Sequence, residues 1–204
     1  MDAAAWDARY AATEQVWSRG PNQFVAAELA DLPPARALDL ACGEGRNALW
    51  LAELGWQVTA LDFSAVAVDR GRRRAGGLPI TWQVGDVLSA GLPDVDLAVL
   101  AYLQLAPDER RTAVRRAWSA LAPGGTFFLV AHDSTNLSEG SGGPQDPSVL
   151  YTAEDVLADL EADHLGDSAQ VVRADRVARV VPPPDDSGPD ATAYDALVRV
   201  VRTA

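Results

Sequence analysis

Residues 37–64, ALDLACGEGRNALWLAELGWQVTALDFS, decide the fold. An apolar run closes on Asp39, a glycine turn follows at Gly43 and Gly45, a helix-period segment comes next, and a second apolar run closes on Asp62. Strand, turn, helix and strand in that order make the element that binds adenosine-containing cofactors. Glycines there let the backbone turn sharply and come close to a ligand, and Asp62, about 17 residues after Gly45, can accept hydrogen bonds from both ribose hydroxyls.

Gly43-Glu44-Gly45-Arg46-Asn47-Ala48 also fits the G-x-G-x-x-G/A pattern of dinucleotide sites, so NAD(P) and FAD are the first alternatives. Two acids oppose them. Asp39 stands four residues before Gly43, and Glu44 lies inside the turn, where a pyrophosphate needs N–H donors and no competing negative charge. S-adenosylmethionine carries an ammonium and a cationic sulfonium, so an acidic turn attracts it. Asp62 and Asp86 can equally be helix caps, and Ser64 can cap the helix that follows Asp62. Asp39 is harder to read as structural alone, because an acid closing a buried strand costs solvation unless something cationic or a set of N–H donors meets it.

Three further stretches extend the pattern to about residue 131. Asp39-Leu-Ala-Cys-Gly-Glu-Gly45 resembles the first motif, D/E-x-G-x-G-x-G, of the class I S-adenosylmethionine-dependent methyltransferases; Ala41 replaces its first glycine and is expected to keep a negative φ. Gly85-Asp86-Val87 resembles the segment in which an Asp accepts from the adenine amino group and its neighbour packs on the ring. Asp96 to Leu100 resembles the fourth strand, and Leu121-Ala-Pro-Gly-Gly125 the helix-to-strand turn in which Pro stops the helix and glycines supply positive φ. The resemblance implies S-adenosylmethionine as cofactor, S-adenosylhomocysteine as product, and a cofactor site made of Asp39, Ala41, Gly43, Gly45, Asp62, Phe63, Asp86, Val87, Ala101 and Trp17. It also implies a Rossmann-like α/β fold, with a seven-stranded, mostly parallel sheet in the order 3-2-1-4-5-7-6 and the last strand antiparallel.

Periodicity alone places strands at Ala37 to Leu40, Val58 to Leu61, Ile80 to Val84, Leu97 to Leu100 and Phe127 to Ala131, alternating with helical segments, which means a parallel sheet covered on both faces. Thr152 caps a helix to Ala162, and Val171 to Val181 and Thr192 to Val201 read as two antiparallel strands around PPPDDSGPD. At 204 residues the chain is expected to be one domain, 1–204, with an N-terminal lid at 1–32 and a substrate-side loop at 134–150. The pattern W-D-x-x-Y…W-S-x-G-P-N from Trp6 to Asn22 resembles the start of the tellurite-resistance and thiopurine methyltransferase subgroup. There Trp17 is placed near the sulfonium, where a ring face favours a cation by about 0.5 to 2 kcal/mol. Equally, Trp6, Tyr10 and Trp17 can be a hydrophobic strap.

A net charge of −12 argues against a nucleic-acid substrate and for a small-molecule acceptor. The clusters Arg70/Arg72/Arg73/Arg74 and Arg110/Arg111/Arg115/Arg116 read as solvated helix faces. All 17 basic residues are Arg, which removes Schiff-base and P-loop lysine chemistry. One cysteine and two distant histidines leave no disulfide framework and point to no metal site. With no run of about 18 apolar residues and no leader pattern, a soluble, cytoplasmic protein without a membrane partner is expected. For methyl transfer itself, alignment of acceptor and methyl in a dry pocket is the main demand. An oxygen or nitrogen acceptor also needs a base, for which His132 and Tyr102 are the candidates; a thiolate or metalloid anion does not. Gln104, Asn136, Gln145 and Asp146 can orient a polar acceptor. A non-catalytic adenosine-ligand sensor and an NAD(P)-dependent oxidoreductase are the alternative readings.

Overall fold

The computed structural model describes residues 2–13, 16, 18–162, 168–183 and 188–203. Helices α1 (Ala3–Ala12) and α2 (Gln23–Leu29) precede β1 (Arg36–Leu40), α3 (Arg46–Glu53), β2 (Gln57–Asp62), α4 (Ala65–Arg74), β3 (Ile80–Val84), β4 (Val95–Ala101), α5 (Pro107–Ser119) and β5 (Leu121–His132). A short α6 (Asn136–Glu139), a 3-10 turn at Pro147–Val149, α7 (Ala153–Ala162), β6 (Ala169–Val181) and β7 (Ala191–Arg202) complete the chain. The sheet order is β3-β2-β1-β4-β5-β7-β6. β1 pairs in parallel with β2 and β4, β2 with β3 and β4 with β5, while β7 runs antiparallel between β5 and β6.

Strand alternation fills both faces. Leu38, Leu40, Leu100, Phe127 and Leu129 pack on one side with Trp118 of α5 and Val156 and Leu160 of α7, and Ala37, Val58, Val99, Phe128 and Val130 pack on the other with Val25, Leu29, Leu51 and Trp56. Each large apolar side chain among them, taken fully out of water, contributes about 1.5–3 kcal/mol. The chain winds from β1 outward to β3 and then returns to place β4 on the other side of β1, so a crevice opens beyond the carboxyl ends of β1 and β4, where α/β sheets bind ligands.

Caps follow the sequence signals in places and depart from them in others. Ser64 Oγ accepts from Ala67 N (3.1 Å) and Thr152 Oγ1 from Asp155 N (3.3 Å), while Asp155 Oδ2 accepts from Thr152 N (2.8 Å), a reciprocal capping box. Helix α5 already stops at Ser119, with Ala120 as its cap, so Pro123 does not end it; β5 begins at Leu121, and of the two glycines after the proline only Gly124 (φ +82°) has positive φ. The Arg clusters are not simply solvated. Arg110 is buried and donates from Nε to Asp159 Oδ2 (2.7 Å), joining α5 to α7; Arg116 donates to the carbonyls of Val87 and Ala90, and Arg70 to Glu44 Oε1 (3.0 Å). Among the described residues no helix is long and apolar enough to cross a membrane, and no group of three or more His, Cys, Asp or Glu side chains could hold a metal ion.

Candidate active site

The turn between β1 and α3 is set by what its amides must reach. Cys42 N donates to Leu61 O (3.0 Å) and Gly43 N to Asp62 Oδ2 (2.8 Å), both at the end of β2. To present those amides in succession the backbone turns left-handed at Ala41 (φ +55°), Gly43 (φ +56°) and Gly45 (φ +77°). Ala41 therefore does not keep the negative φ expected of it, and its Cβ makes that conformation cost about 1–2 kcal/mol. Gly45 is required twice, since a Cβ there would also lie 2.3 Å from Cη2 of Trp82.

Behind the turn, Asp39 is 1% exposed; its Oδ2 accepts from Ala48 N (3.0 Å) at the start of α3, and its Oδ1 is buried without a hydrogen-bond partner. Burial pushes its pKa up to about 7, against the opposing pull of the Ala48 N–H and the Arg46 guanidinium. Asp62 is also buried, with Oδ2 on Gly43 N and Oδ1 on Ser64 N (2.9 Å); burial again raises its pKa, and the two N–H groups restrain the rise. Glu44 is neutralised by Arg70, so the negative character of the turn comes from Asp39 and Asp62 rather than from Glu44. The buried Cys42 thiol is pushed up by burial and by the two nearby aspartates, which leaves it a packing residue.

A cleft of about 1450 Å³ opens over this turn, room for an adenosine-sized ligand and a second small molecule. Ala41, Gly43, Asp62, Phe63, Asp86, Val87, Ala101, Tyr102 and His132 line it. Asp39 and Gly45 stand behind that lining, and Trp17 lies outside the described residues. Asp86 is exposed and turns one oxygen back to Leu88 N (2.9 Å). The N-terminal segment closes one side through Trp6, Tyr10, Pro21 and Asn22, and the 134–150 segment another through Ser141, Gly142, Gly143, Pro144, Asp146 and Val149. Asp7 fastens the first of these by accepting from Ser64 Oγ (2.5 Å) and Val66 N (3.2 Å).

At the far end, β4, β5, β6 and β7 bring four side chains together. Asp195 of β7 is fully buried and accepts from Tyr102 Oη (2.8 Å) and Arg179 Nε (2.8 Å), while His132 Nδ1 lies 3.4 Å from its other oxygen. Burial works to raise the Asp195 pKa, but the contacts from His132, Arg179 and Tyr102 outweigh it and hold the carboxyl below its ordinary value. Tyr102 moves the opposite way: burial, and then the charge of Asp195, raise its phenol well above the usual range, so it is unsuited to act as a base. Of the residues expected to orient an acceptor, Gln104 is committed to structure, accepting from His132 N (3.0 Å) and donating to Val149 O (2.6 Å). Asn136 is committed likewise to Gly142 O and Tyr194 N; Gln145 is outside the lining, while Asp146 is in it. Sequence reasoning missed Asp195 and Arg179. The available signal was an acid inside the apolar strand Ala193-Tyr-Asp-Ala-Leu-Val198, costly unless paired.

Residues 37–125, which hold the glycine turn, match a methyltransferase domain in sequence. That match spans 89 of the 204 residues. An uncharacterized methyltransferase of Mycobacterium tuberculosis is 34% identical over 105 residues, 50% of this chain and 53% of its own, so the chain spans about half the length of such curated relatives. Among solved structures, the N-methyltransferase NodS from Bradyrhizobium japonicum WM9, in complex with S-adenosyl-L-homocysteine, is 20% identical with a TM-score of 0.72, covering 99% of this chain and 98% of that one. A structure described with the conversion of a disulfide bond into a thioacetal group during echinomycin biosynthesis is 22% identical with a TM-score of 0.75, covering 98% and 91%. At these identities the two structures speak for the methyltransferase fold alone.

Proposed function

We propose that this chain transfers the methyl group of S-adenosylmethionine to a small-molecule acceptor. The observation that carries the reading is Asp39: a buried carboxylate, half satisfied by the first turn of α3, directly behind a left-handed turn that faces the cleft. Such a group favours a cationic ligand end and opposes a pyrophosphate. When bound, the cofactor supplies an electrophilic methyl on a sulfonium.

The chain's own residues would divide the cofactor among them. Asp62, whose oxygens each hold one backbone N–H and keep lone pairs spare, would accept from the ribose hydroxyls. Asp86 would accept from the adenine amino group, with Phe63 and Val87 against the ring. Ala41, Gly43 and Ala101 would border the methionine end, its ammonium drawn by Asp39 and its carboxylate by Arg46, which lines the cleft beside them. Gly45 would serve indirectly, by keeping the turn closed on Trp82. The segment 1–32 would act as lid, and 134–150 as the acceptor-side wall. A net charge of −12 supports a small acceptor rather than a nucleic acid.

A sensor and an enzyme of this fold would bind the cofactor alike, so turnover separates them. Release of S-adenosylhomocysteine that depends on an added thiol, phenol, amine or metalloid anion supports the enzyme. Tight binding with no acceptor-dependent release across that panel would favour the sensor.

A further inference from the structure

His132 lines the acceptor end of the cleft. Its ring stacks on Tyr102 with centroids 4.8 Å apart and planes tilted 45°. On another side Gly143 comes so close that a Cβ there would fall 2.9 Å from Nδ1 and 3.0 Å from Cγ. Its backbone N–H is tied to Gln104. The imidazole is therefore held in place by a strand, a stacked ring and a loop, and only its protonation remains to be set.

Asp195 sets it. His132 Nδ1 is buried and makes no hydrogen bond of good geometry among the described residues, and Asp195 Oδ1 lies 3.4 Å from it. A lone pair on Nδ1 would face a carboxylate, whereas a proton there is attracted to it, so the neutral ring keeps its proton on Nδ1. Nε2 is left with its lone pair, and no partner for it occurs among the described residues. Tyr102 and Arg179 fix the carboxylate in turn, each donating to Oδ2, with Arg179 Nη2 3.5 Å from Oδ1. Tyr102 carries this arrangement at φ +61°, a conformation that costs energy in a non-glycine residue and clusters at functional sites.

We propose that His132, oriented by Asp195, is the general base of this site, and that the acceptor is a hydroxyl or amine which still carries its proton when it binds, rather than a thiolate or metalloid anion. This rests on the methyl-transfer reading above. Asp195 is a positioning residue: it touches His132, not the acceptor. As the acceptor oxygen or nitrogen bonds the methyl carbon and the carbon–sulfur electron pair leaves with sulfur, the acceptor's proton passes to His132 Nε2 and from there to solvent. A nucleophile that is already ionised offers Nε2 nothing to accept.

The test begins without any acceptor. With ¹⁵N-labelled histidine, the His132 resonances, assigned by loss in His132→Gln, are expected to report the Nδ1–H tautomer for the neutral ring. An Nε2–H tautomer or a permanent imidazolium would overturn the proposal. Asp195→Asn is expected to mix the tautomers while leaving S-adenosylhomocysteine affinity within about threefold. An unchanged tautomer in that variant would also overturn it, and if the variant does not fold, the wild-type spectrum still decides. Turnover then reads the acceptor class with catechol, aniline, 2-mercaptoethanol and selenite as probes. Catechol or aniline is expected to be methylated, with kcat falling about 10²-fold in Asp195→Asn and KM little changed. Methylation of only the thiol or selenite, insensitive to Asp195→Asn, would contradict it. Calorimetry with S-adenosylhomocysteine on the same samples keeps the two readings apart, since failure there removes methyl transfer and leaves the tautomer result standing.

Discussion

Ala41 and Tyr102 stand one residue beyond the ends of the adjacent parallel strands β1 and β4, and both are left-handed, at φ +55° and +61°. The two strained residues thus flank the crevice where the sheet reverses its winding, and both line the cleft. Tyr102 is compensated by its amide, which donates to Val130 O (2.7 Å), and by its hydroxyl on Asp195.

Ala41 has no compensating side chain, so Ala41→Gly is expected to stabilise the fold. Relief of about 1–2 kcal/mol of strain exceeds the roughly 0.4–1 kcal/mol of added unfolded-state entropy. Chemical denaturation should show a higher midpoint at unchanged slope; a lower midpoint would contradict the strain assignment.

Trp82 wedges its ring edge between two backbones. A Cβ at Gly71 would lie 2.3 Å from its Cη2, as one at Gly45 would. Gly71→Ala is therefore expected to destabilise by about 1–3 kcal/mol even though alanine favours the α4 helix. Trp82→Leu, which shortens the obstructing ring, should recover part of that loss, and strictly additive effects of the two changes would refute the contact.

The pair Arg110–Asp159 is the ionic link between α5 and α7, with Asp159 only 2% exposed and Arg111 Nε 3.5 Å from its other oxygen. Removing one partner strands a buried charge, so Asp159→Ala should cost about 3 kcal/mol. Asp69→Ala, which breaks the exposed pair with Arg72, should leave the unfolding midpoint unchanged. Equal effects of the two would show that burial does not govern the first pair.

Asp39 gives the pH dependence its sign. Its pKa in the folded protein is raised to about 7, so its contribution to stability is fully present below the ordinary carboxylate range and is lost as pH rises through about 7. A cationic ligand end favours the ionised form, so affinity for S-adenosylhomocysteine should rise as pH is raised toward about 7 and level off above it. Asp39→Asn should flatten both profiles. Affinity that falls over this range would place Asp39 away from the ligand's cation.

The fold and half of the site are readable from the chain because they are local in it. Asp39, Gly43, Gly45 and Asp62 lie within one strand–turn–helix–strand unit, and the apolar runs that make the strands are bounded by Gly, Pro and polar residues. Helix α1 gives no such signal: its Tyr10 is buried, but small alanines replace the apolar stripe that announces a helix. The acceptor end is non-local. Tyr102, His132, Arg179 and Asp195 come from or directly follow four different strands and meet only because β7 inserts between β5 and β6. No spacing in the sequence marks such a meeting. The backbone sign at Ala41 is likewise hidden, because it depends on amides reaching across to β2.

Calorimetric titration of the pure protein with S-adenosylhomocysteine and, separately, with NADH decides which cofactor the glycine turn takes. Saturable binding of S-adenosylhomocysteine, weakened by roughly 1–3 kcal/mol in Asp62→Ala, is expected, with no binding of NADH. Saturable binding of NADH with none of S-adenosylhomocysteine would contradict the methyl-transfer reading.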